Sequence, residues 1–415
     1  MRNFTTWILT AALGLGGCEK YYKVDDACVD SLSGSNGVDP DSVAALSRIN
    51  CYRRMAGVAR IPADKQVQIA AQSVVSYVQQ NPDWTQLIGK YGPTYWLTQD
   101  FENPGFTGAN VYERLTGAED QGGAGYVFYD LGGTSIWEFI YVALADDPTQ
   151  LPSGSAAIDE MMRSPVFRQT ALQPSWLDGA YAEADLDQTW FVEGGIFDGA
   201  VTTLAEPAVG LAPYGKVYYL LVLYTAPHLE HSYKPVLLPV VDQVEVPLYS
   251  WSTNRDVVQG DGTYAPTQLS YPISMLMGAV DPANYSPIDQ NQYGVEVSNA
   301  SIVGPDGLPL ETEVIHPGEE ADGPWPDGVF LRTSVSFYTR HPFEPASRYT
   351  LYADYATPEG EFVLNYSFTT ARQDLGVDPN IGLTPATTNV ARRLPDVSVE
   401  RNLRHTAGSS LLHRP

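Results

Sequence analysis

The stretch ALSRINCYRRMAGVARIPADKQVQIAAQSVVSYV, residues 45–78, predicts two consecutive helices joined by a short turn. The first helix begins a little upstream, where Asp39 is a suitable N-cap and Pro40 suits the first turn. Gly57 stands just past its end, as expected for a helix C-terminus. The second helix covers about 64–79, and its apolar residues recur at helical spacing. These apolar positions are predicted to form the buried side.

Downstream of these helices the pattern changes from helix to strand. Further helices are predicted near 135–145, at 156–163, and from the Ser164-Pro165 pair onward. Beyond residue 175 the segments resemble strands, and KVYYLLVLYTA at 216–226 is apolar enough to be central in a sheet. Helices followed by strands within about 190 residues predict one layered α+β domain over residues 40–227.

The rest of the chain is predicted to be mainly strand. Residues 228–243 are predicted to be a linker, and residues 244–371 contain strands of regular length separated by turns such as Pro305-Asp306-Gly307. This spacing predicts a β-sandwich. Past residue 371 no apolar periodicity survives, so residues 372–415 are predicted to be a basic, disordered tail.

The composition excludes one large class of partners. The 415-residue chain is 44% hydrophobic and 18% charged, which is typical of a globular protein. Its formal net charge is −25, and the sequence pI is about 4.4. A field of this sign repels phosphate backbones, so the sequence predicts no nucleic-acid partner.

The N-terminus, MRNFTTWILTAALGLGGCEK, predicts export. Its apolar run from Phe4 to Leu15 is shorter than the roughly 18 residues that a spanning helix needs, so residues 1–17 are predicted to be a signal peptide. The end, Leu-Gly-Gly-Cys, resembles the lipobox of bacterial lipoproteins, which implies that Cys18 becomes an acylated N-terminus. Residues 18–39 would then be the tether to the folded body. A plain signal peptide with Cys18 merely nearby is the alternative.

The two remaining cysteines, Cys28 and Cys51, are an even number in an oxidising compartment. They are predicted to form a disulfide that ties the N-terminal segment to the first helix. The alternative is a pair of free buried thiols.

Four segments in order resemble the CAP superfamily of SCP/PR-1-like secreted proteins. These are the opening helices at 45–78, NPGFTGANVYERL at 103–115, GYVFYDLGGTSIWEFI at 125–140, and AIDEMMRSPVFRQTALQPSWLDGAYA at 157–182. The resemblance implies an α-β-α layered domain. The later sandwich, closest around FEPASRYTLYADY, resembles the Ig-like modules that follow CAP domains in some bacterial exported proteins.

The resemblance also implies a cleft in which two His and two Glu can hold a divalent metal, and here the sequence departs from the family. Val74 and Phe167 stand where the family has histidines, whereas Glu138 matches a family Glu and Arg168 retains the family's basic residue. No His precedes His228. The candidate cleft is therefore predicted to be degenerate, with no cofactor.

Glu138 has two interpretations at this stage, since it follows Trp137 in an apolar segment predicted to be helical. It is either a remnant cleft carboxylate that meets a polar ligand, or a structural group that caps a helix or pairs with Arg168.

A second candidate site is a cluster of metal-type ligands formed by His228, Glu230 and His231. Two or three ligands without a fourth are a weak signal for a metal site. The other interpretation of this segment is a solvated linker.

These observations predict a lipid-anchored protein of the cell envelope, displayed outside the cytoplasm on the outer membrane or the cell surface. It would bind a ligand or serve as a structural component, and its partners would be the membrane, through the lipid on Cys18, and a cell-wall glycan or a surface protein. The alternative is a hydrolase that acts on cell-wall or extracellular polymers through carboxylates such as Glu138.

Overall fold

A computed structural model describes segments of both predicted parts of the chain. The first half is the predicted α+β domain, and the second half comprises the predicted linker and sandwich. The described residues are 23–28, 37–81, 99–117, 123–126, 134–145, 148–172, 178–186, 214–225, 235–251, 268–276, 295–315, 334–357, 360–373 and 397–401. Within them the chain combines α-helices with antiparallel sheets, which places it in the α+β class. None of the described helices has the length and apolarity to cross a membrane.

The described helices lie in the first half of the chain. They are α1 (Pro40–Met55), α2 (Lys65–Gln80), α3 (Val111–Thr116), α4 (Gly154–Met161) and α5 (Pro165–Leu172). The Asp39 carboxylate caps α1 by accepting a bond from the Ser42 amide at 3.0 Å. Asp64 caps α2 in the same way, with the Gln66 amide at 2.7 Å. The predicted start of each of the first two helices is therefore confirmed.

The segment predicted as a helix near 135–145 is instead a strand, so that prediction was wrong. Strand β1 (Thr134–Ala145) pairs antiparallel along its whole length with β3 (Tyr214–Thr225), which in turn pairs with β2 (Asp178–Leu186). From residue 136 to residue 145, β1 is apolar except for Glu138, and many of its residues are aromatic or β-branched. An apolar segment without periodicity is compatible with either a buried strand or a buried helix, so the sequence pattern does not distinguish the two. Here the segment is a strand because it pairs with β3.

The sheet of the first half lies between two helical layers. Alternate residues of β3, namely Tyr218, Leu220 and Val222, pack in one cluster with α1, α4 and α5. The intervening residues, Val217, Tyr219, Leu221 and Leu223, pack on the opposite face with α2 and α3. Because successive side chains of a strand point to opposite faces, this alternation defines two separate cores on the two sides of one sheet.

The second half is built from strands. They are β4 (Val236–Leu238), β5 (Tyr249–Trp251), β6 (Gln268–Ser270), β7 (Ile273–Leu276), β8 (Glu296–Val303), β9 (Pro309–Leu310), β10 (Glu313–Ile315), β11 (Ser334–Tyr338), β12 (Arg348–Thr357) and β13 (Gly360–Thr369). Two antiparallel sheets, ordered β10-β11-β7-β4 and β13-β12-β8-β9, share one core. β4 lies inside the segment that was predicted to be a linker.

The two halves share part of their packing. Leu238, Leu276 and Tyr338 of the β10-β11-β7-β4 sheet belong to the same hydrophobic cluster as α1, α4 and α5. The face of this sheet that points away from the sandwich core therefore packs on a helical layer of the first half.

Within the predicted tail, Val397–Arg401 forms strand β14, which pairs with β1 and extends the first sheet to the order β14-β1-β3-β2.

Candidate functional site

Glu138 lies on β1 and is buried in the core beneath α2 and α3. Its side chain is 1% exposed. One oxygen, Oε1, accepts a bond from Nη2 of Arg114 at 2.7 Å and another from the hydroxyl of Tyr219. Arg114, on α3, is itself fully buried. The carboxylate and the guanidinium thus form an ion pair inside the first half of the protein.

The local sequence explains how Arg114 reaches this position. Asn110 caps α3 by accepting a bond from the Glu113 amide at 3.0 Å, and the Glu113 carboxylate accepts one from the Ala109 amide at 2.9 Å. This arrangement is similar to a capping box, except that the Glu113 carboxylate accepts from the residue before the N-cap. Gly108 precedes it with φ +153°, and a Cβ there would lie 2.8 Å from the Arg114 amide nitrogen. The turn therefore requires glycine at position 108, and it determines the direction in which the chain enters α3.

The environment of the Glu138–Arg114 pair favours a structural role for Glu138 over a role as a catalytic base. Taking two charges out of water is costly, and the pair offsets that cost only through mutual attraction and good hydrogen bonds. Burial raises the pKa of Tyr219 well above its ordinary value, and the charge of Glu138 adds to the shift. The hydroxyl therefore stays protonated and donates to the carboxylate. A carboxylate held in this way, and 1% exposed, offers no surface to a polymeric substrate.

The four candidate cleft residues do not meet at one cleft. Val74 is fully buried in the same core as Glu138, among the residues of α2 and α3. Phe167 is also fully buried, but it belongs to the cluster on the other face of the sheet. Val74 and Phe167, the two positions where the resemblance implies histidines, are thus separated by the sheet, and both side chains pack in a hydrophobic core.

Arg168 does not pair with Glu138, so the predicted ion pair was wrong. Its Nη1 donates to the carbonyl of Pro272, to the carbonyl of Leu238 at 3.3 Å and to Oγ of Ser274 at 3.0 Å, all in the second half. Its guanidinium lies 4.2 Å from the centre of the Tyr271 ring. Burial lowers its pKa, and the neighbouring tyrosines act against that shift. Arg168 therefore joins α5 to the sandwich.

The remaining predicted site residues have different outcomes. The disulfide between Cys28 and Cys51 is present, with the two Cα atoms 4.6 Å apart, so that prediction is confirmed. Cys18 lies outside the described residues, as do the weak metal candidates His228, Glu230 and His231. Among the described residues, no group of three or more His, Cys, Asp or Glu side chains could hold a metal ion.

Sequence reasoning missed the second polar cluster of the first half, which centres on Glu183 of β2. Its carboxylate accepts bonds from the Tyr181 hydroxyl at 2.5 Å, the Gly154 amide at 3.0 Å and Nζ of Lys216 at 3.1 Å. Burial by itself raises the pKa of Glu183, but these bonds and the charge of Lys216 outweigh it and hold the pKa below its ordinary value. The cluster joins the first turn of α4 to the sheet.

The lowered pKa of Glu183 gives a pH-dependent contribution to stability. The ionised form is favoured in the folded state, so its contribution is present above the unfolded pKa and is lost as the pH falls through the lower folded pKa. Glu183→Gln is expected to lower the free energy of unfolding at pH 7 by about 1.5–3 kcal/mol, the range for hydrogen bonds to a charged group. Urea unfolding at pH 7 and pH 3 measures this difference, which should shrink at pH 3.

The exposed carboxylate Glu361 provides the matched control. Glu361→Gln should leave the free energy of unfolding unchanged at both pH values. A Glu183→Gln difference that is the same at pH 3 and pH 7 would contradict the assignment of the stabilising form to the carboxylate.

No protein-family model matches the chain, and no curated protein sequence matches it either.

Proposed function

We propose that this chain is a lipid-anchored, extracytoplasmic protein with a CAP-like first half and an Ig-like second half, which binds a partner or serves as a structural component rather than a catalyst. The observation that carries the proposal is that the residues predicted to line a cleft are buried and do not meet at one site. Val74 and Phe167 are fully buried on opposite faces of a sheet, and the Glu138 carboxylate is neutralised by Arg114.

Two further observations support the architecture and the location. A sheet between two helical layers, followed by two sheets that share a core, agrees with the layered and sandwich arrangement that the resemblance implies. The disulfide between Cys28 and Cys51 agrees with an oxidising compartment outside the cytoplasm. The lipobox-like sequence before Cys18 supports attachment through lipid.

The hydrolase alternative gains no support from Glu138. Hydrolysis of a glycan by paired carboxylates needs both groups to reach the scissile bond, one as acid and the other as base or nucleophile. Glu138 is buried, and its carboxylate is paired with the guanidinium of Arg114 inside the core. We therefore assign the exposed surface, rather than this carboxylate, to contact with a cell-wall glycan or a surface protein.

A sedimentation experiment tests the proposal. The full chain carrying Cys18→Ser is incubated with purified peptidoglycan, the insoluble polymer is pelleted, and both protein and soluble glycan fragments are measured. We expect protein in the pellet and no fragments. Protein that stays in solution would remove the glycan as partner and leave the structural role. Release of fragments that Glu138→Gln abolishes, with an unchanged circular dichroism spectrum, would overturn the proposal in favour of the hydrolase.

A further inference from the structure

Residues 23–28 are fixed to the folded body by several contacts, and we name them the N-terminal clamp. Ala27 is 1% exposed and packs in the cluster of α1, α4 and α5. Asp25 accepts a bond from Nη1 of Arg48 on α1 at 2.5 Å. Cys28 is bonded to Cys51 in the C-terminal half of the same helix. The clamp therefore belongs to the body and does not behave as a free tether.

The first residue of the clamp contacts the other half of the protein. Nζ of Lys23 pairs with the carboxylate of Glu245. Glu245 lies in the loop 240–246, which is fastened to β13 because the Asp242 amide donates to the Ser367 carbonyl at 2.7 Å and the Thr369 amide donates to the Gln243 carbonyl at 2.8 Å. The clamp thus spans the junction between the helical layer and the sandwich.

We propose that this clamp shortens the lipid tether to residues 18–23 and so holds the loop 240–246 against the membrane surface. The inference rests on the proposed lipidation of Cys18. Five residues reach at most about 18 Å when fully extended, whereas the predicted tether of 18–39 would reach about 75 Å. Residues 29–36 lie between two fixed points, Cys28 and the start of α1, so they add nothing to the reach.

The chemistry of the loop agrees with a lipid headgroup surface as its neighbour. Val241 is 42% exposed beside Asp242, so an apolar side chain stands among charged ones. Asp242 lies 3.6 Å from the guanidinium of Arg348, and Glu245 is paired with Lys23, so these two carboxylates are each matched by a cation. The loop itself is acidic, and Lys23 of the clamp and Arg348 of β12 bring cations beside it, so the surface around the loop presents both charges to lipid headgroups, although the whole chain is strongly acidic.

Neutron reflectometry of the lipidated protein on a supported phosphatidylethanolamine–phosphatidylglycerol bilayer tests the inference. It measures the thickness of the protein-free layer between the headgroups and the body. We expect this layer to be no thicker than about 18 Å, the extended length of five residues. A ten-residue Gly/Ser insertion after Lys20 should widen it by about 17 Å, the root-mean-square span of such a linker.

The same insertion placed after Ser33 is the matched control, because it lengthens the chain by the same amount inside the loop that the disulfide closes. It should leave the layer unchanged. An equal widening by both insertions, or a layer thicker than about 18 Å in the unaltered protein, the reach of five residues, would overturn the inference. Equal retention of the Cys18→Ser variant on the bilayer would instead overturn the proposed lipid anchor.

Discussion

Arg114→Met is expected to lower the free energy of unfolding by about 3–5 kcal/mol, because it leaves the buried Glu138 carboxylate without its counter-ion. The side chains of both residues are almost completely buried, so water cannot replace the lost partner. Methionine fills a volume similar to that of the arginine stem, which limits the loss of packing. Urea denaturation at pH 7 followed by circular dichroism measures the change.

A double variant separates the charge from the packing. Arg114→Met combined with Glu138→Gln removes both charges, while the amide oxygen can still accept the bond from Tyr219. We expect the double variant to be more stable than Arg114→Met alone by about 2 kcal/mol, since breaking a buried pair costs more than replacing both of its members. Equal losses in the single and double variants would show that the charges of this pair do not interact in the folded protein.

Arg168→Met is expected to have the second large effect, on the coupling of the two halves. Its guanidinium donates to Leu238, Pro272 and Ser274 of the sandwich, and a buried acceptor left without its donor costs about 1–3 kcal/mol. We expect a total loss of about 3 kcal/mol or more. Calorimetry should show one transition for the unaltered protein and two for the variant, because the halves then unfold separately. Arg168→Lys should not restore the coupling, because an ammonium lacks the planar fork of donors.

Arg60 is exposed and serves as the control for the loss of a positive charge. Arg60→Met should leave the calorimetric transition unchanged. An Arg168→Met variant that melts in one transition at the wild-type temperature would show that hydrophobic contact alone couples the two halves.

Local signals in the sequence were enough to predict the first helices, the disulfide and the strand-rich second half. Asp39 and Asp64 are caps whose hydrogen bonds need only residues two or three positions away, so the helix starts could be predicted without tertiary information. β1 could not be predicted in this way. Its apolar run has no periodicity, and its identity as a strand comes from pairing with β3, about 80 residues further along the chain.

The candidate site was harder to predict, because its contacts are distant in sequence. Arg114 and Glu138 are 24 positions apart on a helix and a strand, and only the stacking of α3 on the sheet brings them together. The sandwich residues that Arg168 contacts lie 70 or more positions away. The sequence showed that Val74 and Phe167 cannot ligate a metal, but not that they lie on opposite faces of the sheet.

Carboxyl labelling of the native protein tests the central claim that Glu138, which was predicted to line a cleft, is buried in the core. The folded protein is treated with a water-soluble carbodiimide and glycine ethyl ester, digested, and the modified fraction at each carboxylate is measured by mass spectrometry. Glu361, which is exposed, reports full reactivity. We expect Glu138 to stay unmodified in the native protein and to react as fully as Glu361 once the chain is unfolded in urea. Modification of native Glu138 at the rate of Glu361 would contradict the account and show an open carboxylate site.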